Sequence, residues 1–182
     1  MSEIINHLIT SADFRESPNC SKRPPDVQVI LMVIHNISLP PGRFGGAYIV
    51  DFFQNKLDVS ADEYFEEIKD LKVSSHLLID RRGKVTQFVP FNKSAWHAGL
   101  SHYLGQENCN DFSIGVEMEG TDSIDYTTKQ YESLTEVTLS LMKAYPRIIV
   151  DNIVGHSDIA PERKTDPGES FDWSRFRSSL VS

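Results

Sequence analysis

The chain has 182 residues, a net charge of -8, a sequence pI near 5.2, 40% hydrophobic residues and 24% charged ones. That length suits one domain able to bury roughly 70% of its unfolded surface, and the composition excludes disordered and fibrous classes. The acidic balance argues against nucleic acid or an anionic membrane as partner, since both recruit clustered Lys and Arg, and leaves a small molecule as the expected ligand.

The opening MSEIINHLITSADF lacks the basic start and apolar core of a signal peptide, so a cytoplasmic location is expected. No apolar run approaches the ~20 residues that cross a bilayer. In that setting Cys20 and Cys109 read as free thiols. Val27 to His35, VQVILMVIH, is a nearly continuous β-branched and apolar run, which predicts a strand buried on both faces and ending on a histidine. Residues 38–70 begin with Pro and Gly, then place Tyr48, Ile49, Phe52 and Phe53 at helical spacing. They predict a long excursion with short helices, lid-like beside a site.

KVSSHLLID and KVTQFVP flank RRGK and predict a hairpin in which Gly83 supplies a positive φ. FSIGVEMEG alternates as a strand, with Ile114, Val116 and Met118 on one face and Ser113, Gly115, Glu117 and Glu119 on the other. From Thr127 to Tyr145 the apolar residues recur with a period near 3.6, a long helix stopped by Pro146. RIIVDNIVGH reads as a strand leading into the loop GHSDIAPERKTDPG, and DWSRFRSSL as a last helix with Asp172 as N-cap. Strands and helices in this alternation predict an α/β (α+β) layered fold in one domain over 1–182.

Each of the two strands that end on a histidine delivers its imidazole, His35 or His156, at the mouth of a loop. Zinc is commonly held by three protein ligands drawn from His and carboxylate, with a fourth position for water, and His35, His156 and Asp166 are able to supply such a set. On spacing alone the same histidines read equally well as satisfied core or surface residues, because they form no contiguous metal motif. Glu117 likewise reads as a solvated strand carboxylate and Lys164 as a surface lysine.

The strings VIHNISLPPGRFGG, KSAWHAG, CNDFSIGVEMEGTD, GHSDIAPERKTDPG and FDWSRF, in that order, closely resemble the AmpD-type 1,6-anhydro-N-acetylmuramyl-L-alanine amidases of the zinc amidase and peptidoglycan recognition protein superfamily. The resemblance runs from about Val29 to Phe176. It implies a central mixed β-sheet flanked by helices and a zinc hydrolase that releases the stem peptide from anhydromuramic acid in cell-wall recycling. It places the Zn²⁺ ligands on His35, His156 and Asp166, the catalytic glutamate on Glu117 and the catalytic lysine on Lys164. Asn36, Trp96 and His97 are expected at the substrate. So is Lys72, which stands where close relatives carry an arginine and lacks that residue's bidentate fork. The expected partner is a small anhydromuropeptide and the expected state a monomer. A non-catalytic muropeptide-binding module is the rival reading; such relatives typically lack a metal ligand, whereas the full set is present here. An amidase of polymeric wall would require export.

Overall fold

The computed structural model describes residues 2–181. Its centre is a six-stranded mixed sheet of β1 (Asp13–Phe14), β2 (Leu31–Ile37), β3 (Leu77–Ile79), β4 (Val85–Gln87), β5 (Ser113–Glu119) and β6 (Ile153–Gly155), in spatial order β6-β2-β5-β3-β4-β1. Neighbours from β6 to β3 run parallel, β3 and β4 form the antiparallel hairpin, and β1 lies parallel to β4 at the edge. Central parallel strands are covered on both faces, which is why β5 is buried at all its positions.

Strand alternation gives the sheet two faces. On one, Met32 and Ile34 of β2, Ile114, Val116 and Met118 of β5, and Leu77 and Ile79 of β3 pack against Leu134, Val137 and Leu141 of helix α3 (Thr128–Ala144). Each large side chain so buried contributes ~1.5–3 kcal/mol. The helices α1 (Tyr48–Phe53) and α2 (Tyr64–Ile68) precede α3, and α4 (His156–Ile159) and α5 (Trp173–Ser179) come after it. A capping box starts α3: Thr127 Oγ1 accepts from Gln130 N–H at 3.2 Å and Gln130 Oε1 accepts from Thr127 N–H at 3.0 Å. Gln130 also donates to the carbonyls of Ile79 and Glu119, fastening the helix start to the ends of β3 and β5. On the opposite face Leu31 and Val33 pack with Ala98, Cys109, Phe112, Val154 and Ile159, and the same face carries His35 and Glu117.

Three sequence expectations shift. The strand expected from Val27 begins only at Leu31, where Ser113 first stands opposite, and runs two residues past His35. The strand expected over RIIVDNIVGH is a 3₁₀ turn at Val150–Asn152 followed by three residues of β6, the length that faces Met32 to Ile34. His156 then opens a helical turn rather than a loop, because Asp158 Oδ2 accepts the Gly155 N–H at 2.7 Å and closes a cap. Gly83 has φ +81° as expected for its turn, and a Cβ there would also meet the Lys129 carbonyl oxygen at 2.7 Å. The excursion over 38–70 holds α1, a 3₁₀ turn and α2, and its Phe52, Phe53, Phe65 and Ile68 pack with Leu78 and Phe88 in a cluster of their own. Among the described residues no helix is long and apolar enough to cross a membrane, and Cys20 and Cys109 are free thiols.

Under the sheet, Arg23 is clamped by the carbonyls of Phe91, Asn110, Asp111 and Ser113. Beside it, buried His76 accepts the Gly115 N–H at Nδ1 and donates from Nε2 to the Lys93 carbonyl. Burial first, and the Arg23 charge second, push the His76 pKa from 6.5 down to about 3. The unfolded chain therefore takes up this proton near pH 6.5 while the folded chain does not, so stability falls as pH drops through the window from 6.5 toward 3. Between pH 7 and 5 this group alone removes about 2 kcal/mol. Urea unfolding at the two pH values should give a smaller acid loss in His76→Gln than in the wild type; equal losses would refute the assignment.

Candidate metal centre and active site

Strand register assembles the site at the carboxyl ends of parallel strands, where open sheets commonly hold their ligands. Glu117 of β5 stands directly opposite His35 of β2, and Gly155 of β6 opposite Ile34, so His156 emerges level with His35. The chain then turns through Pro161 to Lys164, whose N–H donates to the Ala160 carbonyl at 2.9 Å, and returns so that Ser157 N–H donates to the Asp166 carbonyl at 3.0 Å. That return closes the third corner. His35 Nδ1 and His156 Nδ1 are 3.0 Å apart, and Asp166 Oδ2 is 3.1 Å from each.

Both imidazoles are buried, while Asp166 is partly open to the cavity. His156 Nε2 lies 3.1 Å from the Ala98 carbonyl oxygen. A carbonyl only accepts, so Nε2 carries the proton and Nδ1 presents a lone pair to the cluster. Burial lowers the His35 pKa from 6.5 to about 4, with Asp166 opposing. Burial would raise the Asp166 carboxyl, but the His156 and His35 rings beside it outweigh that and hold it below the usual carboxylate range. A neutral His35 beside an ionised Asp166 matches the protonation states that metal ligands require.

The donor set fits zinc. Ligand atoms at ~2.0–2.1 Å around a tetrahedral ion stand about 3.3 Å apart, close to the separations found here, and two nitrogens with one carboxylate oxygen is a set typical of open catalytic sites. Among the described residues this is the one group of three His, Cys, Asp or Glu side chains arranged to hold an ion.

Glu117 borders the cluster. Its Oε2 is buried without a hydrogen-bond partner, and burial, then the Asp166 charge, raise its pKa well above the ordinary carboxylate value, with Lys164 opposing. A cavity of about 690 Å³ joins His35, Glu117, His156, Lys164 and Asp166. Ser38, Leu39, Phe52, Tyr64 and Ile68 of the excursion form one wall, and Trp96, 37% exposed, stands on another.

The four residues expected at the substrate differ in placement. Trp96 lines the cavity with its ring accessible. Asn36 also lines it, but its Nδ2 donates to Asp122 Oδ1 and the Pro167 carbonyl, so the amide nitrogen ties the 121–123 and 165–168 segments to β2. His97 lines it too, with Nδ1 2.9 Å from His35 Nε2 and Nε2 3.1 Å from Ser113 Oγ. Lys72 is exposed and lies outside this cavity, in a smaller pocket with Asn55, Leu57 and Lys69, while its neighbours Leu71 and Val73 line the cavity. Ser113, the Ala98 carbonyl and Asp122 also serve the site, although nothing in the sequence marks them individually. Gly115, a glycine in the middle of a buried strand, was the available signal that something packs closely there.

Fold and site together define a cell-wall amidase: residues 25–169 match the N-acetylmuramoyl-L-alanine amidase family, and the chain belongs to it. It is 51% identical over 180 residues to the 1,6-anhydro-N-acetylmuramyl-L-alanine amidase AmpD of Haemophilus influenzae, covering 99% of this chain and 98% of that one. A crystal structure of a selenomethionine derivative of AmpD superimposes with a TM-score of 0.95 at 51% identity, over 97% of this chain and 98% of that one. The amidase AmiD of Escherichia coli, solved in complex with the substrate anhydro-N-acetylmuramic acid-L-Ala-D-gamma-Glu-L-Lys, gives a TM-score of 0.61 at 27% identity, over 87% of this chain and 60% of that one.

Proposed function

We propose that this chain is a zinc-dependent amidase hydrolysing the bond between N-acetyl-1,6-anhydromuramic acid and the L-alanine of its stem peptide, in cytoplasmic cell-wall recycling. The observation that carries the reading is the unpartnered, buried Glu117 Oε2 beside three acceptor atoms turned toward one point. The identity to AmpD over nearly the whole chain supports the choice of substrate.

His35, His156 and Asp166 would hold the zinc. When bound, zinc lowers the pKa of a water and polarises a carbonyl. Glu117 takes the attacking water's proton at Oε2 and returns it to the alanine nitrogen as the amide breaks, and its raised pKa makes it a stronger base than an exposed glutamate. The Lys164 ammonium faces the carbonyl oxygen as negative charge develops on it. Trp96 offers a flat apolar surface to the sugar, and the excursion over 38–70 serves as a movable wall that shields the reaction from water. In hydrogen exchange, amides of 38–70 should exchange at least tenfold faster than those of β2; equal protection would rule out the moving wall.

The function is tested by incubating metal-quantified protein with N-acetyl-1,6-anhydromuramyl peptide and, separately, with intact cell-wall sacculi, and identifying products by mass. Free stem peptide and anhydromuramic acid from the first, with no release from the second, is expected. Binding of the muropeptide without cleavage, or preferential release from sacculi, overturns the proposal.

A further inference from the structure

Both ring nitrogens of His97 are engaged inside the protein, and the anchoring of Ser113 at one end fixes the direction of both hydrogen bonds. Ser113 Oγ lies 2.5 Å from the Cys109 carbonyl oxygen. That oxygen only accepts, so the serine hydrogen points to it and Ser113 meets His97 with a lone pair. His97 Nε2 is then the donor across 3.1 Å, and in the neutral ring Nδ1 is the acceptor. His35 Nε2, 2.9 Å away, must carry the hydrogen, which leaves His35 Nδ1 bare toward His156 and Asp166.

We propose that His97 is a positioning residue that sets the tautomer and ring angle of His35 for metal ligation through a relay anchored on Ser113 and the Cys109 carbonyl. This role rests on zinc being held by His35, His156 and Asp166. With both ring nitrogens engaged, His97 belongs to the cavity wall and has no nitrogen left to hydrogen-bond substrate.

The surroundings are built for that task. The His97 ring lies against Gly115, where a Cβ would come within 2.5 Å of it, so a strand position that would otherwise carry a side chain is kept bare. The backbone N–H groups of His97 and Ala98 both donate to Asn110 Oδ1, at 3.1 and 2.8 Å. The His97 and His35 rings meet edge to face, with centroids 4.9 Å apart at 83°. Two consecutive residues thus orient both histidine ligands. His97 acts on His35 through its side chain, and Ala98 acts on His156 through its carbonyl.

The test measures zinc affinity by chelator competition, with thermal melts as a folding control. His97→Leu keeps comparable bulk but removes the acceptor, and should weaken zinc by ~10- to 100-fold. In His97→Asn, Oδ1 falls near the former Nδ1 position and can accept from His35, so affinity should recover to within about threefold of wild type. Gly115→Ala displaces the ring without removing any hydrogen-bonding group, and should weaken zinc as His97→Leu does. In the wild type, ¹⁵N NMR of the imidazoles should find the His35 proton on Nε2. Unchanged affinity in His97→Leu, equal weakness in the Leu and Asn variants, or a His35 proton on Nδ1 would each overturn the proposal. A wild-type protein that binds no zinc would instead defeat the metal reading, and the NMR arm would still decide the relay.

Discussion

Replacing Glu117 with Gln should lower turnover per folded, zinc-loaded molecule by a factor on the order of 10² to 10⁴ while substrate affinity changes far less. The substitution keeps side-chain volume in a fully buried strand and removes only the capacity to take a proton. Oε2 has no hydrogen-bond partner to lose, and the carboxyl is disfavoured as an ion by burial and by Asp166. The melting temperature is accordingly expected to hold or rise, whereas removing a glutamate that held the fold together would lower it. Turnover measured beside a thermal melt and elemental analysis separates the two roles. Near-normal turnover in a stable, zinc-loaded variant would remove Glu117 from the chemistry.

The second large effect is expected at Asp166. Its Oδ2 is the only anionic corner of the cluster, set 3.1 Å from both imidazoles, and a neutral amide of the same size in its place leaves two histidines and a weak oxygen donor. Asp166→Asn should emerge from gel filtration with well under one zinc per chain and with activity reduced more than about 10³-fold at stoichiometric zinc. The backbone bond from Ser157 to the Asp166 carbonyl and the side-chain bond from Thr165 to Asp122 are untouched, so the loop should keep its course. Chelation of the wild type should reproduce the loss, with activity returning when zinc is restored. A full complement of zinc and ordinary turnover in Asp166→Asn would contradict the ligand assignment.

Much of the fold was legible because its signals are local. The hairpin turn at Gly83, the apolar stripe of α3 and the Asp172 cap of α5 depend on residues within a few positions of one another. Strand ends were read less well. Val27 to Ile30 are as apolar as the strand they precede, yet the ladder starts at Leu31 because pairing depends on where β5 begins, which lies some eighty residues further on.

The site divides in the same way. Sequence alone determined the chemical inventory: two histidines near the ends of buried strands, a glutamate on the strand face opposite the core, and a proline-stiffened segment bearing Lys164 and Asp166. Only the tertiary structure decided which atoms meet. The register of β2 against β5 and β6 sets His35 beside Glu117 and His156, and the return of the 160s segment sets Asp166 against both imidazoles. Asn36 and His97 belong to the same decision. Each looks free to meet a ligand when read along the chain, and each is engaged by groups from distant segments, Asp122 and Pro167 for one, His35 and Ser113 for the other. Residue type limits what a side chain can donate or accept, but its partner is set by packing between strands and loops far apart in sequence, and that carries no period a sequence could display.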